Sequence, residues 1–274
     1  MLYRYLLAKR TAEPDAPSCS QTLLGHTENV VQAMHVLNDI LADDIHSLVG
    51  AAIDSDAWGA CSTAAAWLHD LGKANNHFQE MIRNPMFRQG VRHETLGIVI
   101  LADMLGKWLT DFWNRYPPWL QGAVYFAIAG HHLKFPDQQQ RSGQEVVFLG
   151  GHPELHSCLV LGSRLLQLDP PPKLSDRHYS LLALGELRGI LACLRRQLID
   201  TFSPEQKLVI AALKAILLAA DLAGSALPEH NQDLATWLKK RLKETLAAAS
   251  LQNLVDHKIN RRPLRDFQQK IQQL

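Results

Sequence analysis

Cysteine is scarce in this sequence, and what there is follows no pattern. The four cysteines are scattered along the chain and show no CxxC spacing: Cys19, Cys61, Cys158 and Cys193. This distribution argues against a disulfide framework and favours reduced, buried thiols. We therefore expect a cytoplasmic protein.

An obvious membrane segment is also missing. The opening MLYRYLLAKR is too short for a secretory signal, and acidic and proline residues follow it. The most apolar stretch, residues 208–220, is interrupted by Lys214 and is too short to cross a bilayer. These features predict a protein that does not enter the membrane.

Charged residues make up only 20% of the chain, and the formal net charge is +1. The charge is unevenly placed, because residues 236–274 hold nine Lys or Arg and three Asp or Glu. A basic segment of this kind can follow the phosphates of a nucleic acid. It is equally typical of a solvated helix face. Apolar residues reach 47%, which allows a real core and argues against disorder over most of the length.

Strand-like alternation is nearly absent, and helical periodicity dominates. Residues 146–149 are the one short strand candidate, and residues 133–151 and 169–175 are predicted loops. Ser203, Pro204 and Gln206 form a good helix start, with a capping box. Helices are predicted from near His26, over 64–71 with Gly72 as a C-cap, over 93–109, 118–130, 153–168 and 177–200, and from 204 through 222 with a stop near Gly224. We predict an all-α protein with one domain over residues 1–228 and a basic helical tail over 229–274.

The most informative local feature is the adjacent pair His69-Asp70 in the run AAWLHDLGK. An imidazole and a carboxylate side by side can supply nitrogen and oxygen ligands to one metal ion, or the carboxylate can bridge two. A His-Asp pair alone is weak, so its meaning depends on the other residues that could complete a site.

Further candidate ligands occupy helix ends or helix faces. His26 begins one predicted helix and His93 begins another. His131-His132 follows the helix predicted over 118–130. Ligands at such positions can converge on the core of a bundle without unravelling it. His77, close after the HD pair, is a weaker candidate, and the remaining histidines lie in polar surroundings.

Asp221 stands in the apolar run LLAADLAGS near the end of the long predicted helix. A carboxylate in such surroundings costs several kcal/mol if it is unpaired. A metal ion would offset that cost. An ion pair with Lys or Arg, or a backbone donor, would do so equally well.

The order His, His-Asp, His, His-His, Asp resembles the HD phosphohydrolase superfamily. More narrowly, it is similar to the HD nuclease family of the CRISPR-associated Cas3 proteins. The resemblance implies an HD-domain helical bundle with its metal site in the core. It also implies two divalent ions, the first held by His26, His69, Asp70 and Asp221. Asp70 would bridge to the second ion, which His93, His131 and His132 would complete.

The same resemblance assigns catalytic roles beside the ions to Asp70, Lys73 and Ser225. Lys73 could stabilise charge that develops on a phosphate. A ligand set of five imidazoles and two carboxylates suits Mn, Ni, Co, Fe or Zn better than Mg. The implied activity is a metal-dependent DNA nuclease of a type I CRISPR-Cas interference system, cutting single-stranded DNA.

The end of the chain resembles the lead-in to a superfamily 2 helicase, in which Phe267 and Gln268 would approach an adenine. No P-loop GxxxxGK[ST] occurs in the sequence. We therefore expect a Cas3 helicase in cis or in trans, and a Cascade-type RNA-guided complex that exposes the DNA strand. A basic surface helix is an equally good interpretation of this tail.

Two other functions compete with the nuclease. One is an HD phosphohydrolase acting on nucleotides or cyclic dinucleotides, which would need a closed pocket with Arg or Lys contacts. The other is a non-catalytic effector-binding HD module, against which the full ligand set argues.

Overall fold

A computed structural model describes residues 3–132, 145–180, 189, 191–193, 195–196, 200–230 and 232–243. The chain divides into two compact units, Met1–Ala235 and Thr236–Leu274. Two short strands, β1 (Val146–Phe148) and β2 (Arg177–Tyr179), form an antiparallel ribbon. The named helices are α1 (Leu23–Ile40), α2 (Ala42–Val49), α3 (Ser55–Leu68), α4 (Asn76–Arg83), α5 (His93–Asp103), α6 (Gly106–Trp113), α7 (Pro118–Ala129), α8 (Pro153–Leu165), α9 (Pro204–Glu229) and α10 (Leu234–Lys243).

The prediction of an all-helical bundle is confirmed. Helix α1 packs against α3 and α9, and α7 packs against α3, α5 and α9. Their facing sides carry the apolar residues that the periodicity places there, such as Val30, Met34 and Leu213, all buried. Burial of these side chains provides the main favourable free energy of folding.

The helices of this bundle begin where the sequence supplies capping groups. The side chain of Thr22 accepts a hydrogen bond from the backbone of α1, and that of Asp54 does the same for α3. The capping box predicted at Ser203 is present at the start of α9. Each cap satisfies a backbone N–H that has no partner within its helix, which favours the helix start by about 1 kcal/mol.

Helix α9 is the longest of the named helices. Within the described residues, Pro204–Pro228 is the one segment long and apolar enough to span a bilayer by composition. The buried core helix of a soluble protein has the same composition. Because Val209, Leu217 and Ala220 are buried and α9 packs against α1, α2, α3 and α7, its hydropathy has an explanation within the bundle.

Four predicted boundaries differ from the structure, and two of them lie in the segments over 93–109 and from 177. The predicted helix over 93–109 ends at Asp103 and resumes as α6 at Gly106, a weak helix former. The segment predicted as a helix from 177 begins with β2, which pairs with β1, so tertiary pairing overrides local helical propensity. Residues 133–144 of the predicted loop and 244–274 of the tail lie outside the described residues.

The predicted end of the long helix at Gly224 is also wrong, since α9 continues to Glu229. A Cβ on Gly224 would lie 2.9 Å from the backbone nitrogen of Val30 in α1. The glycine therefore permits a close crossing of two helices, not a helix stop.

Gly72 has the same kind of role and does not cap α3. The helix ends at Leu68, Gly72 lies in a 3-10 turn, and no described glycine has a positive φ. A Cβ on Gly72 would overlap the carbonyl group of His93 and lie 2.6 Å from the nitrogen of Gly97. The missing side chain lets the turn after Asp70 pack directly on α5.

Gly72→Ala should therefore destabilise the chain by about 1–3 kcal/mol, because either the turn or α5 must move to make room. The measurement is urea unfolding of the metal-free protein. Gly59→Ala is the matched control: a Cβ at that position of α3 meets nothing within 4 Å. The control should be neutral or stabilise by about 0.5–1 kcal/mol. Equal effects of the two variants would contradict the packing role of Gly72.

Candidate metal centre

Four helix ends meet beside α9 and carry the predicted ligands. His26 lies in the first turn of α1, His69 caps the end of α3, and His93 is the first residue of α5. All seven predicted ligands come together in two clusters, and within each cluster the ligand atoms lie within 4.8 Å of one another. The first cluster is His26, His69, Asp70 and Asp221. The second cluster is His93, His131 and His132.

The first cluster is built around one oxygen of Asp70. Oδ2 of Asp70 lies 3.0 Å from Nε2 of His26 and 3.2 Å from Nε2 of His69. Oδ1 of Asp221 lies 3.2 Å from Nε2 of His26 and 3.8 Å from Nε2 of His69. Two imidazole nitrogens and two carboxylate oxygens thus face a common point.

The second cluster faces the other oxygen of Asp70. Its Oδ1 lies 3.3 Å from Nε2 of His93 and 3.7 Å from Nε2 of His131. Nε2 of His132 lies 3.2 Å from Nε2 of His93. Asp70 therefore presents one carboxylate oxygen to each cluster, which is the arrangement that a bridging ligand requires.

The site is deep on one side and accessible on the other. His69 and His131 are fully buried and Asp70 is 1% exposed, whereas the side chain of Asp221 is 18% exposed. His132 is exposed. Asp221 and His132 are the most exposed of the seven predicted ligands, one in each cluster.

Backbone carbonyl groups orient the two deepest imidazoles. Nδ1 of His69 lies 2.8 Å from the carbonyl oxygen of Ala66, and Nδ1 of His131 lies 2.6 Å from that of Ile128. These carbonyls belong to the last turns of α3 and α7, where a helix leaves its carbonyl groups without intrahelical partners. A proton on Nδ1 satisfies the carbonyl and leaves the Nε2 lone pair directed into the site.

Burial and charge act against each other on the ionisable groups. Burial alone would lower the pKa of His69, but the charge of Asp70, with Asp221, raises it to about 10. Burial would raise the pKa of Asp70, but His69 and Lys73 hold it well below its ordinary value. Burial and the charge of His69 together lower the pKa of His131. In the chain alone, His69 and Asp70 are therefore an ion pair at neutral pH, and His131 is neutral.

Several buried atoms at this centre lack hydrogen-bond partners of good geometry. Within the described part of the chain they include Nε2 of His26, His69 and His131 and both carboxylate oxygens of Asp70. Unsatisfied buried polar atoms are costly and call for a specific explanation. Converging imidazole nitrogens and carboxylate oxygens are the donor set of a transition-metal site, so these residues fit divalent ions.

Lys73 and Ser225 each contact one of the predicted ligands. The Lys73 ammonium group lies 2.6 Å from Oδ2 of Asp70 and 5.4 Å from the ring centre of Phe78. The Ser225 hydroxyl group donates a long hydrogen bond of 3.5 Å to Asp221. Lys73 thus partly neutralises the central carboxylate, and Ser225 supports the carboxylate at the accessible side.

Sequence reasoning missed the polar residues that hold the turn after Asp70. The side chain of Asn75 accepts from the backbone of Phe78 and donates to the carbonyl oxygen of Gly72. The amide of Gln79 donates to the carbonyl oxygens of Lys73 and Leu7. An Asn before a helix is a readable cap signal, but the contact of Gln79 with the N-terminal segment has no local signature.

His77 does not join either cluster. It is buried beside Phe87, and its Nδ1 accepts a hydrogen bond from the backbone N–H of Gly90. Burial lowers its pKa. The neutral ring therefore packs between α4 and the following loop instead of contributing to the centre.

A helical bundle with a buried His-Asp pair and further histidines at its helix ends is the architecture of the HD-domain class. The family described as "Cas3, HD domain" matches residues 7–225. The chain therefore belongs to the HD-domain family of Cas3 proteins. The resemblance found in the sequence is confirmed.

A longer relative shows the same relationship. The chain is 31% identical over 291 aligned residues to a protein of Myxococcus xanthus strain DK1622 that is named as a CRISPR-associated nuclease/helicase Cas3. The alignment covers 97% of this chain and 37% of that relative. The chain thus spans little more than a third of the curated relative that it matches.

Metal binding to the first cluster should release about one proton per chain at about pH 7.5, because an ion at Nε2 of His69 displaces the proton held there. The pKa of His69 is raised to about 10, so the ring loses its proton only as the pH approaches that value. The affinity of the first cluster for the metal ion should rise over the same range. Isothermal titration with Ni²⁺ in two buffers of different ionisation enthalpy measures the release. His178→Gln, in the exposed strand β2, should release the same number. An enthalpy that is independent of the buffer would contradict this assignment.

Proposed function

We propose that this chain is a metal-dependent nuclease that hydrolyses phosphodiester bonds of single-stranded DNA in a type I CRISPR-Cas interference system. The observation that carries the proposal is the position of Asp70, with one carboxylate oxygen toward each cluster of ligands. Membership of the Cas3 HD-domain family supports the activity class. The substrate and the use of two ions are our inference.

In the proposed site, His26, His69, Asp70 and Asp221 hold one ion. Asp70 would also contact a second ion, and His93, His131 and His132 would complete its ligands. When bound, two divalent ions supply charge neutralisation at the scissile phosphate and activation of water for in-line attack. The nitrogen-rich donor set favours Mn, Ni, Co, Fe or Zn over Mg.

Lysines around the site suit a polyanionic substrate. Lys73 lies 2.6 Å from Asp70, and Lys9 donates a hydrogen bond of 2.8 Å to the carbonyl oxygen of Ser225. The Lys214 ammonium group lies close to Gly130, the residue before His131. A Cβ built on Gly130 would be 3.1 Å from it. Positive charge at the border of a deep site attracts a phosphate backbone without reading its sequence.

We propose a polymer rather than a small nucleotide as the substrate of this site. A cavity of about 560 Å³ lies between α1, α2 and α3, and Asn38, Trp58 and other residues outside both clusters line it. The candidate metal centre opens at the exposed His132. A nucleotide or cyclic dinucleotide phosphohydrolase would enclose its ligand.

The remaining parts of the proposal concern the whole system. We propose that residues 1–228 are the nuclease domain and that 229–274 lead to a helicase, in cis or supplied by a separate chain. The relative from Myxococcus xanthus is much longer than the matched region, and its name includes a helicase. Both facts support this view. A Cascade-type complex would deliver the DNA strand, and the setting would be cytoplasmic.

Circular single-stranded DNA should be degraded by the purified chain with Mn²⁺ or Ni²⁺, since cleavage of a circle requires endonuclease action. Asp70→Asn should lower the rate of DNA cleavage by more than about 100-fold. Removing a residue that supports a metal ligand usually costs about 10–100-fold, and removing a bridging ligand itself should cost more. Asp44→Asn, an exposed carboxylate in α2, is the matched control. Hydrolysis of nucleotides or cyclic dinucleotides with an intact circle would contradict the nuclease assignment.

His131→Ala should remove one of two bound ions and leave the other in place. His131 belongs to the second cluster. Of the two carboxylate oxygens of Asp70, it contacts only Oδ1. Metal analysis after equilibration with saturating Mn²⁺ and removal of the unbound ion measures the stoichiometry. His156→Ala, exposed on α8, should keep the wild-type value. An unchanged stoichiometry in His131→Ala would contradict the two-ion arrangement.

A further inference from the structure

Glu94 is a buried carboxylate for which the proposed ligand set has no use. It is the second residue of α5, directly after His93, and is 1% exposed. The guanidinium group of Arg92 donates a hydrogen bond of 3.0 Å to its Oε1. Within the described chain, Oε2 has no hydrogen-bond partner of good geometry. A buried carboxylate oxygen without a donor is costly, so its position needs a reason.

The unpartnered oxygen faces the outer nitrogen of a proposed ligand. Oε2 of Glu94 lies 3.3 Å from Nδ1 of His93, while Nε2 on the other side of that ring faces Asp70 and His132. An imidazole that gives Nε2 to a metal ion carries its proton on Nδ1, and this proton needs an acceptor. Glu94 supplies an acceptor within reach.

His93 requires such a partner because of its place in the fold. His69 and His131 follow the ends of helices, and each uses a carbonyl group of the preceding turn to fix Nδ1. His93 is the first residue of α5, so no helical turn precedes it. No carbonyl group of a preceding turn can therefore fix its Nδ1, and the nearest acceptor that the structure shows is the carboxylate of Glu94, 3.3 Å away.

We propose that Glu94 is a positioning residue that fixes the ring and the tautomer of His93 and so sets the affinity of the second cluster for its ion. Arg92 holds the other carboxylate oxygen and thereby orients the group. This inference rests on the proposed dinuclear centre, but it concerns a residue outside the ligand set. A carboxylate behind a metal-binding histidine also raises the basicity of the ring.

The test compares wild type with Glu94→Leu and Glu94→Gln by Co²⁺ titration, following ligand-field absorption and the stoichiometry. In Glu94→Leu, the affinity for one of two ions should fall by about 10–100-fold, the usual effect of removing an outer partner of a metal-binding histidine. The other ion should stay within about threefold of wild type. Glu94→Gln keeps an acceptor oxygen and should recover part of the loss. Arg92→Gln, which leaves the carboxylate in place, should show the smaller effect.

Nitrogen NMR of histidine-labelled, metal-free protein gives a second measurement. His93, assigned through His93→Gln, should carry a proton on Nδ1 in wild type and lose the proton from that nitrogen in Glu94→Leu, while Nε2 faces Asp70 in both. Wild-type affinity and tautomer in both Glu94 variants would overturn the positioning role. Equal weakening of both ions, with loss of unfolding free energy, would also overturn it. A wild-type chain that binds fewer than two Co²⁺ ions but shows the tautomer change would overturn the dinuclear proposal and leave the Glu94–His93 interaction standing.

Discussion

The structure depends on compensation of one buried charge, the carboxylate of Asp70. Its side chain is 1% exposed, and a buried charge without partners would cost several kcal/mol. His26, His69 and Lys73 face one of its oxygens, and His93 and His131 face the other. Every element that carries one of these residues must reach the same point, which constrains how the helices pack.

Helix ends meet this constraint at little cost to the helices themselves. The last turns of α3 and α7 have carbonyl groups without intrahelical partners, and His69 and His131 each satisfy one. A single hydrogen bond thus completes the helix end and aims a ligand nitrogen inward. His93 lies at a helix start, where this solution is not available, and Glu94 lies behind its ring instead. In our proposal the acceptor for Nδ1 is a backbone carbonyl for His69 and His131 and the Glu94 carboxylate for His93.

The long apolar helix gives the centre its second carboxylate and its depth. Asp221 is carried by α9, whose buried apolar residues contact α1, α3 and α7. Burial would raise the pKa of Asp221, but hydrogen bonding to His26 and His69 holds it well below its ordinary value. The cluster therefore stabilises a charge that the apolar helix alone could not accept. Because α9 crosses α1 closely at Gly224, His26 and Asp221 are held together by backbone packing as well as by charge.

The sequence alone determined the helical class, the main helices and the set of candidate ligands, because periodicity and capping are local and the order of His and Asp residues is readable. It also brought Lys73 and Ser225 into consideration through family resemblance. It misplaced the helix end at Gly224 and the role of Gly72, since a glycine that permits close packing looks like a glycine that ends a helix. Only the tertiary structure decided which oxygen of Asp70 faces which histidines, that His77 stays outside both clusters, and that Glu94 lies behind His93. These are contacts between side chains carried by different turns and helices, and distances of 3–4 Å between them follow from packing, not from spacing along the chain.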